Sequence, residues 1–380
     1  MNIPRRIEHL RERTQSIGQA EILRATALFL SALLVVMVLV IALGRGTPAS
    51  TSAGAATPQP KSAQQKASQH PARVATPKPL SSPVPLGVYA GAGSPAAATV
   101  FQTDVGTTVP YALDYLDDSS WTTISDPAWF LQRWAGSGFQ MIFGVPMLPK
   151  TGGSLAAGAR GDYNALYATL AQVLIDNGQA SAVLMPGWDP EDTTLPWSAT
   201  TMAQAEDYVA EFNQIVATMR AVPGARFQFV WDASNSPDAV APSALYPGDA
   251  VVNVIATDAF DLGIGPVNQR FTDIARVPYG LNWFARFATH HDKPLMIAKW
   301  GVAPTANLGA GDDPGFVSDL LSWSAENHVF AAVTWDDGTW AITGGAFPHS
   351  ASILRQLVTA SVQSPLSKVV ESSATPASAP

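Results

Sequence analysis

The chain has 380 residues, a formal net charge of −8 and no cysteine. That excludes disulfides, thiolate metal sites and a cysteine nucleophile. The absence of a basic stripe with interleaved aromatics argues against a nucleic-acid partner.

In chain order, the first element is a hydrophobic run. Residues 25–43 are apolar apart from Thr26 and Ser31, and Arg5, Arg6, Arg11, Arg13 and Arg24 precede them. At about 1.5 Å per residue such a helix reaches about 28 Å, enough to cross a bilayer core. The positive-inside rule then predicts a cytoplasmic segment at 1–24, a transmembrane helix at 25–43 and an extracellular remainder, so the chain is expected in the cell membrane as a single-pass protein. The alternative is a cleaved signal peptide. Its apolar region would be shorter, about 7–15 residues, and Gly44-Arg45-Gly46 is a poor cleavage site. Residues 44–85 are rich in Pro, Ala, Ser, Thr and Gln and bury too little to offset chain entropy, which predicts a disordered linker. Residues 363–380 form a second low-complexity tail.

Between them, 86–362 is close to the length of one α/β barrel, roughly 250 residues. Short apolar runs recur at Leu86–Ala90, Tyr111–Tyr115, Gln140–Met147, Ala182–Met185, Arg226–Trp231, Val251–Ala256, Pro294–Ala298 and Val329–Trp335. Near-continuous Val, Ile, Phe and Met is the pattern of strands covered on both faces. The intervening stretches read as helices. Ser94-Pro95, Asp126-Pro127 and Asp313-Pro314 mark helix starts, and apolar residues recur at helical spacing over 162–175, 201–219, 280–290, 313–326 and 350–358. Eight strand-helix repeats predict a (β/α)8 TIM barrel. A doubly wound sheet is the alternative, but Ala90-Gly91-Ala92-Gly93-Ser94 is a weak phosphate turn.

In such a barrel, chemistry sits where strands end. The residues there are Gly91, Asp114 and Asp117, Pro146, Gly187-Trp188-Asp189, Asp232, Asp258 and Asp261, Lys299-Trp300-Gly301 and Trp335-Asp336-Asp337. Acids and tryptophans on one rim suit a sugar cleft, in which carboxylates bond hydroxyls and indoles stack on pyranose rings. Trp188, Trp197, Trp300 and Trp335 are the expected platforms, with Asp258 and Asp261 as polar contacts. For any single aspartate, a helix cap is the competing role. His290 and His291 lie at a predicted helix end, where a cation complements the dipole. Neither these histidines nor the Gly309–Asp313 loop has a ligand set that specifies a metal, and no cofactor is expected.

The domain resembles glycoside hydrolase family 26, the β-mannanase-type barrels. The segments that carry the resemblance are Leu86-Gly87-Val88-Tyr89; Val183 to Asp189 with Leu195-Pro196-Trp197-Ser198; Tyr246 to Asp249 with Thr257 to Asp261; and Lys293 to Val302. The resemblance implies a retaining mechanism with a glutamate acid/base after strand four and a glutamate nucleophile on strand seven. The corresponding positions hold Asp189 and Lys299. Nearby, Met185 stands where arginine is usual, Glu191-Asp192 where Asn-Gly is usual, and Phe260 where tyrosine is usual. An ammonium forms no glycosyl ester and opposes an oxocarbenium ion.

The expectation is therefore a membrane-anchored extracellular domain, catalytically degenerate, that binds wall polysaccharide or another β-glycan. One alternative is an active glycosidase using Glu191, Asp258 or Asp336. Another is a Schiff-base lysine at Lys299, against which stands an ion pair with Asp189.

Overall fold

The computed structural model describes residues 79–362 apart from 235–239, 264, 306–308 and 310. The segment expected to be cytoplasmic, the span expected at 25–43, most of the expected linker and the expected tail lie outside the described residues. Among those described, no helix is long and apolar enough to cross a membrane.

The strands are β1 Leu86–Tyr89, β2 Tyr111–Tyr115, β3 Gln140–Val145, β4 Val183–Pro186, β5 Gln228–Asp232, β6 Val254–Asp261, β7 Leu295–Val302 and β8 Ala332–Trp335. Each pairs in parallel with the next, and β1 closes on β8. The helices are α1 Pro95–Val105, α2 Trp121–Ser125, α3 Ala128–Trp134, α4 Leu155–Ala159, α5 Asn164–Asp176, α6 Met202–Ala221, α7 Arg270–Arg276, α8 Leu281–His290, α9 Pro314–Glu326 and α10 Pro348–Val362. This is the expected (β/α)8 barrel. It buries two apolar sets. Leu113, Ile142, Val183, Met185, Val230, Val254, Met296 and Val333 fill the interior, and a larger set packs between strands and helices.

Local chemistry explains the helix starts. Thr201 and Gln204 form a reciprocal capping box at α6, and Asp313 accepts from Phe316 N ahead of Pro314 at α9. Ser94 precedes Pro95 as expected but does not cap; its hydroxyl donates to Ala92 O at 3.2 Å. The short helices α2, α4 and α7 have too few turns to show a period in the sequence. The domain also starts earlier than residue 86. Leu80 and Val84 are buried, and Ser82 Oγ donates to Ala325 O at 2.9 Å. Two apolar residues scattered among prolines and serines gave no periodic signal.

One buried acid opposes the fold. Glu211 on α6 lies against Gly158 of α4, where an added Cβ would fall 2.1 Å from its carboxyl carbon. Both carboxyl oxygens lack hydrogen-bond partners among the described residues. Burial, helped by nearby Asp207, raises its pKa from 4.5 to about 9. The folded state therefore holds a proton that the unfolded chain releases above pH 4.5, so stability falls as pH rises through this window. Glu211→Gln removes that linkage. Its stability relative to the parent is expected to grow between pH 5 and pH 9, by about 3 kcal/mol at pH 7. Denaturant titrations across that range check this.

Candidate functional site

The barrel mouth is organised around Lys299. Its position depends on an irregularity in β7. Thr257 pairs with Ile297 and Asp258 with Lys299, so Ala298 has no partner on β6; on the other side Ile297 pairs with Ala332 and Trp300 with Thr334. The extra residue is a β-bulge, which changes the alternation of side chains. Ala298 faces the interior set, and Lys299 also turns inward instead of toward the helices.

There the ammonium meets three aspartates, one after β4, one closing β5 and one within β6. Nζ lies 2.6 Å from Asp189 Oδ2, 3.0 Å from Asp258 Oδ2 and 3.4 Å from Asp232 Oδ2. The three carboxylate oxygens come within 4.8 Å of one another. Asp232 is fully buried, and the side chains of Lys299, Asp189 and Asp258 are 6, 11 and 16 % exposed. Asp189 has φ +47°, a left-handed conformation that aspartate tolerates better than most residues. Gly187 before it has φ +59°, and a Cβ there would fall 2.2 Å from Met147 Sδ. The Gly187-Trp188-Asp189 turn thus needs its glycine to present the acid.

Burial raises the pKa of Asp232 to about 7, with Lys299 partly opposing the shift. Asp258 is held well above the ordinary carboxylate range, first by burial and then by the two other aspartates, again against the pull of Lys299. Burial disfavours the Lys299 ammonium, but the carboxylates outweigh it and hold its pKa well above the ordinary lysine value.

Aromatic rings from β1, β2, the β4 turn and β8 line the rest of the mouth. Tyr89 stacks on Trp335 at 4.1 Å, Tyr115 lies 4.8 Å from Trp188, and Tyr89 and Tyr115 meet edge-on at 5.7 Å. Tyr115, Trp188 and Trp335 are half-buried.

The expected site residues separate into two groups. Asp189, Lys299, Asp258, Trp188 and Trp335 share the mouth. Trp197, Trp300 and Asp261 do not. Trp197 is fully buried and donates through Nε1 to Trp188 O at 2.8 Å, bracing the β4 turn. Trp300 follows the bulge on the opposite face, fully buried in the strand-helix layer, so it offers no stacking surface. Asp261 is 1 % exposed, accepts from Gly263 N at 3.0 Å and lies 3.6 Å from Arg270, which also reaches Asp313 at 3.5 Å. It ties the β6 loop to α7 and α9.

Other rim acids also have structural roles. Asp114 is buried beneath the β1 loop, accepting from Gly93 N and Trp134 Nε1. Asp336 accepts from Thr343, and Asp312 accepts from the backbone of His349 and Ser350. His291 pairs with Asp249 at 2.8 Å. Asp232 was expected on the rim without a role of its own, and Tyr89 and Tyr115 were not among the expected contacts. Their signal is parity: Asp232 lies two residues after interior Val230, and Tyr115 two after interior Leu113.

No family model and no curated protein matches the sequence. Solved structures do match the fold. The YdhT protein from Bacillus subtilis aligns at 13 % identity over 71 % of this chain and 85 % of its own, with a TM-score of 0.54. A modular endo-β-1,4-mannanase from Cellulomonas fimi aligns at 14 % identity over 74 and 71 %, with a TM-score of 0.52. The Bacteroides ovatus β-mannanase BoMan26A aligns at 14 % identity over 75 and 90 %, with a TM-score of 0.51. The domain has the fold of the glycoside hydrolase family 26 β-mannanases. A glycoside-hydrolase-like barrel thus carries an ammonium at the centre of its mouth.

Removing one partner of a buried ion pair leaves the others uncompensated. Lys299→Met is expected to cost about 3–5 kcal/mol at neutral pH. The deficit should widen from pH 5 to pH 8, because without the ammonium the folded state binds protons that the unfolded aspartates have lost. Unfolding midpoints of parent and variant at the two pH values check this.

Proposed function

We propose that this is a membrane-anchored extracellular glycan-binding protein whose glycoside-hydrolase-like barrel does not turn over substrate. One observation carries the reading: Lys299 Nζ bridges Asp189, Asp232 and Asp258. Retaining hydrolysis needs two carboxyl groups about 5–5.5 Å apart with the anomeric carbon between them, and inversion needs about 6.5–9.5 Å with room for a water. Here carboxylate oxygens lie within 4.8 Å and an ammonium stands between them. That leaves no place for the reacting carbon, and the nearest charge has the wrong sign for an oxocarbenium ion.

Polysaccharide as the ligand is supported by the half-buried rings of Trp188, Trp335 and Tyr115 beside polar groups and by the mannanase fold. Placement outside the membrane is supported by the apolar run at 25–43 and the arginines before it.

A second reading, an active glycosidase with rearranged carboxylates, draws on Asp258, whose raised pKa suits a general acid at neutral pH. That reading also needs a second carboxyl group free to act as base, and its candidates are engaged: Glu191 accepts from Ser234 N and Asp336 is held by Thr343. The Schiff-base reading requires a neutral amine, which the three carboxylates oppose.

Incubation with β-mannan and β-glucan is expected to release no reducing ends while the same polymers retard the protein in affinity electrophoresis. Hydrolysis that disappears in Asp258→Asn would establish the second reading. Borohydride with a carbonyl sugar is expected to leave the intact mass unchanged.

A further inference from the structure

Lys299 and Asp189 are held against each other from both sides. Nζ lies 2.6 Å from Asp189 Oδ2, and the two residues stand 110 positions apart in the chain. A glycine turn fixes the carboxyl, with Gly187 and Asp189 both at positive φ, and the β7 bulge fixes the amine. The two side chains are 6 and 11 % exposed, so bulk water is largely kept from the contact. Asp258 reaches the same nitrogen at 3.0 Å, and one of its carboxyl oxygens lies within 4.8 Å of one of Asp189's. Burial keeps the Asp258 carboxyl well above the ordinary range, and so protonated at neutral pH. An amine against a carboxyl group, in a desolvated site with a neutral acid in reach of both, is the arrangement that amide condensation needs.

We propose that Lys299 and Asp189 condense after folding into an intramolecular amide, with the Asp258 carboxyl as the proton relay. The step needs no co-reactant. A proton passes from Nζ to Asp189 Oδ2 within the pair, and Nζ attacks Cγ. Asp258 then takes a proton from the nitrogen while giving its own to the departing oxygen. One C–N bond forms, one C–O bond breaks, and one water leaves past Asp258, whose side chain is the most exposed of the cluster. The carboxylates oppose loss of the lysine proton to solvent. Transfer to Asp189 instead turns a buried ion pair into two neutral groups and removes the desolvation cost of both charges. In bulk water the condensation runs backward. Well-oriented groups in one molecule reach effective molarities of about 10⁵–10⁸ M, and a dry site does not return the water. The chain has no cysteine, so no disulfide can tie the barrel across its mouth. An amide between β7 and the β4 turn makes that tie and restricts the unfolded chain. Glycan binding neither requires nor excludes it.

The test is mass spectrometry of a tryptic digest of the full-length chain purified in detergent. The peptides containing Asp189 and Lys299 are expected to be joined, at their combined mass less one water, with no cleavage after Lys299. This readout needs only the parent protein, so a variant that folds poorly does not blur it. In Lys299→Arg, whose guanidinium keeps the charge but is no nucleophile, cleavage after position 299 is expected and the Asp189 peptide should run alone. In a time course after cell-free synthesis, Asp258→Ala should form the joined peptides about a hundredfold more slowly than the parent. Two separate peptides at full mass in the folded parent overturn the proposal. So does a loss of water confined to one peptide, which is a cyclised aspartate. If Asp258→Ala forms the link at the parent's rate, the relay role fails and the amide stands.

Discussion

A charge buried in a barrel must be compensated where it lies, and the cluster around Lys299 shows how far that requirement reaches. Moving an ammonium out of water costs several kcal/mol unless close partners replace the solvent. The partners come from three neighbouring strands: Asp189 follows β4, Asp232 closes β5 and Asp258 lies within β6. The glycine turn that holds Asp189 in a left-handed conformation and the bulge that turns Lys299 inward serve the same contact. Geometry that would otherwise be strained is tolerated because the ion cluster over-determines it.

The cluster also shows how a barrel mouth can be filled and its charges met by the chain's own side chains. The scaffold needs only that the mouth be filled and its charges be met. Two carboxylates holding a sugar between them satisfy that requirement when substrate arrives; a lysine satisfies it permanently.

Much of this was legible in the sequence. Eight apolar runs and their helices define the barrel because strands buried on both faces cannot hide their composition. The proximity of Asp189 and Lys299 followed from strand-end placement. What the sequence concealed was phase. Trp300 and Lys299 are neighbours, and a reading that ends β7 at Ala298 leaves both free to face the mouth. Only the unpaired Ala298 decides that lysine points in and tryptophan out. Asp261 misled for a related reason. It ends the same strand as Asp258 but lies three residues on, on the opposite face, where Arg270 claims it. Asp114, likewise, alternates away from interior Leu113 and was taken up by the β1 loop.

The packed stretch before β1 has a directional consequence. Ser82 is fastened to the carboxyl end of α9, and the described chain finishes at the carboxyl end of α10. In a barrel of parallel strands and returning helices, both places belong to the pole where strands begin. Lys299 and its aspartates lie at the other pole. Both described ends of the domain therefore lie at the pole opposite the mouth, and the rim is left clear of them.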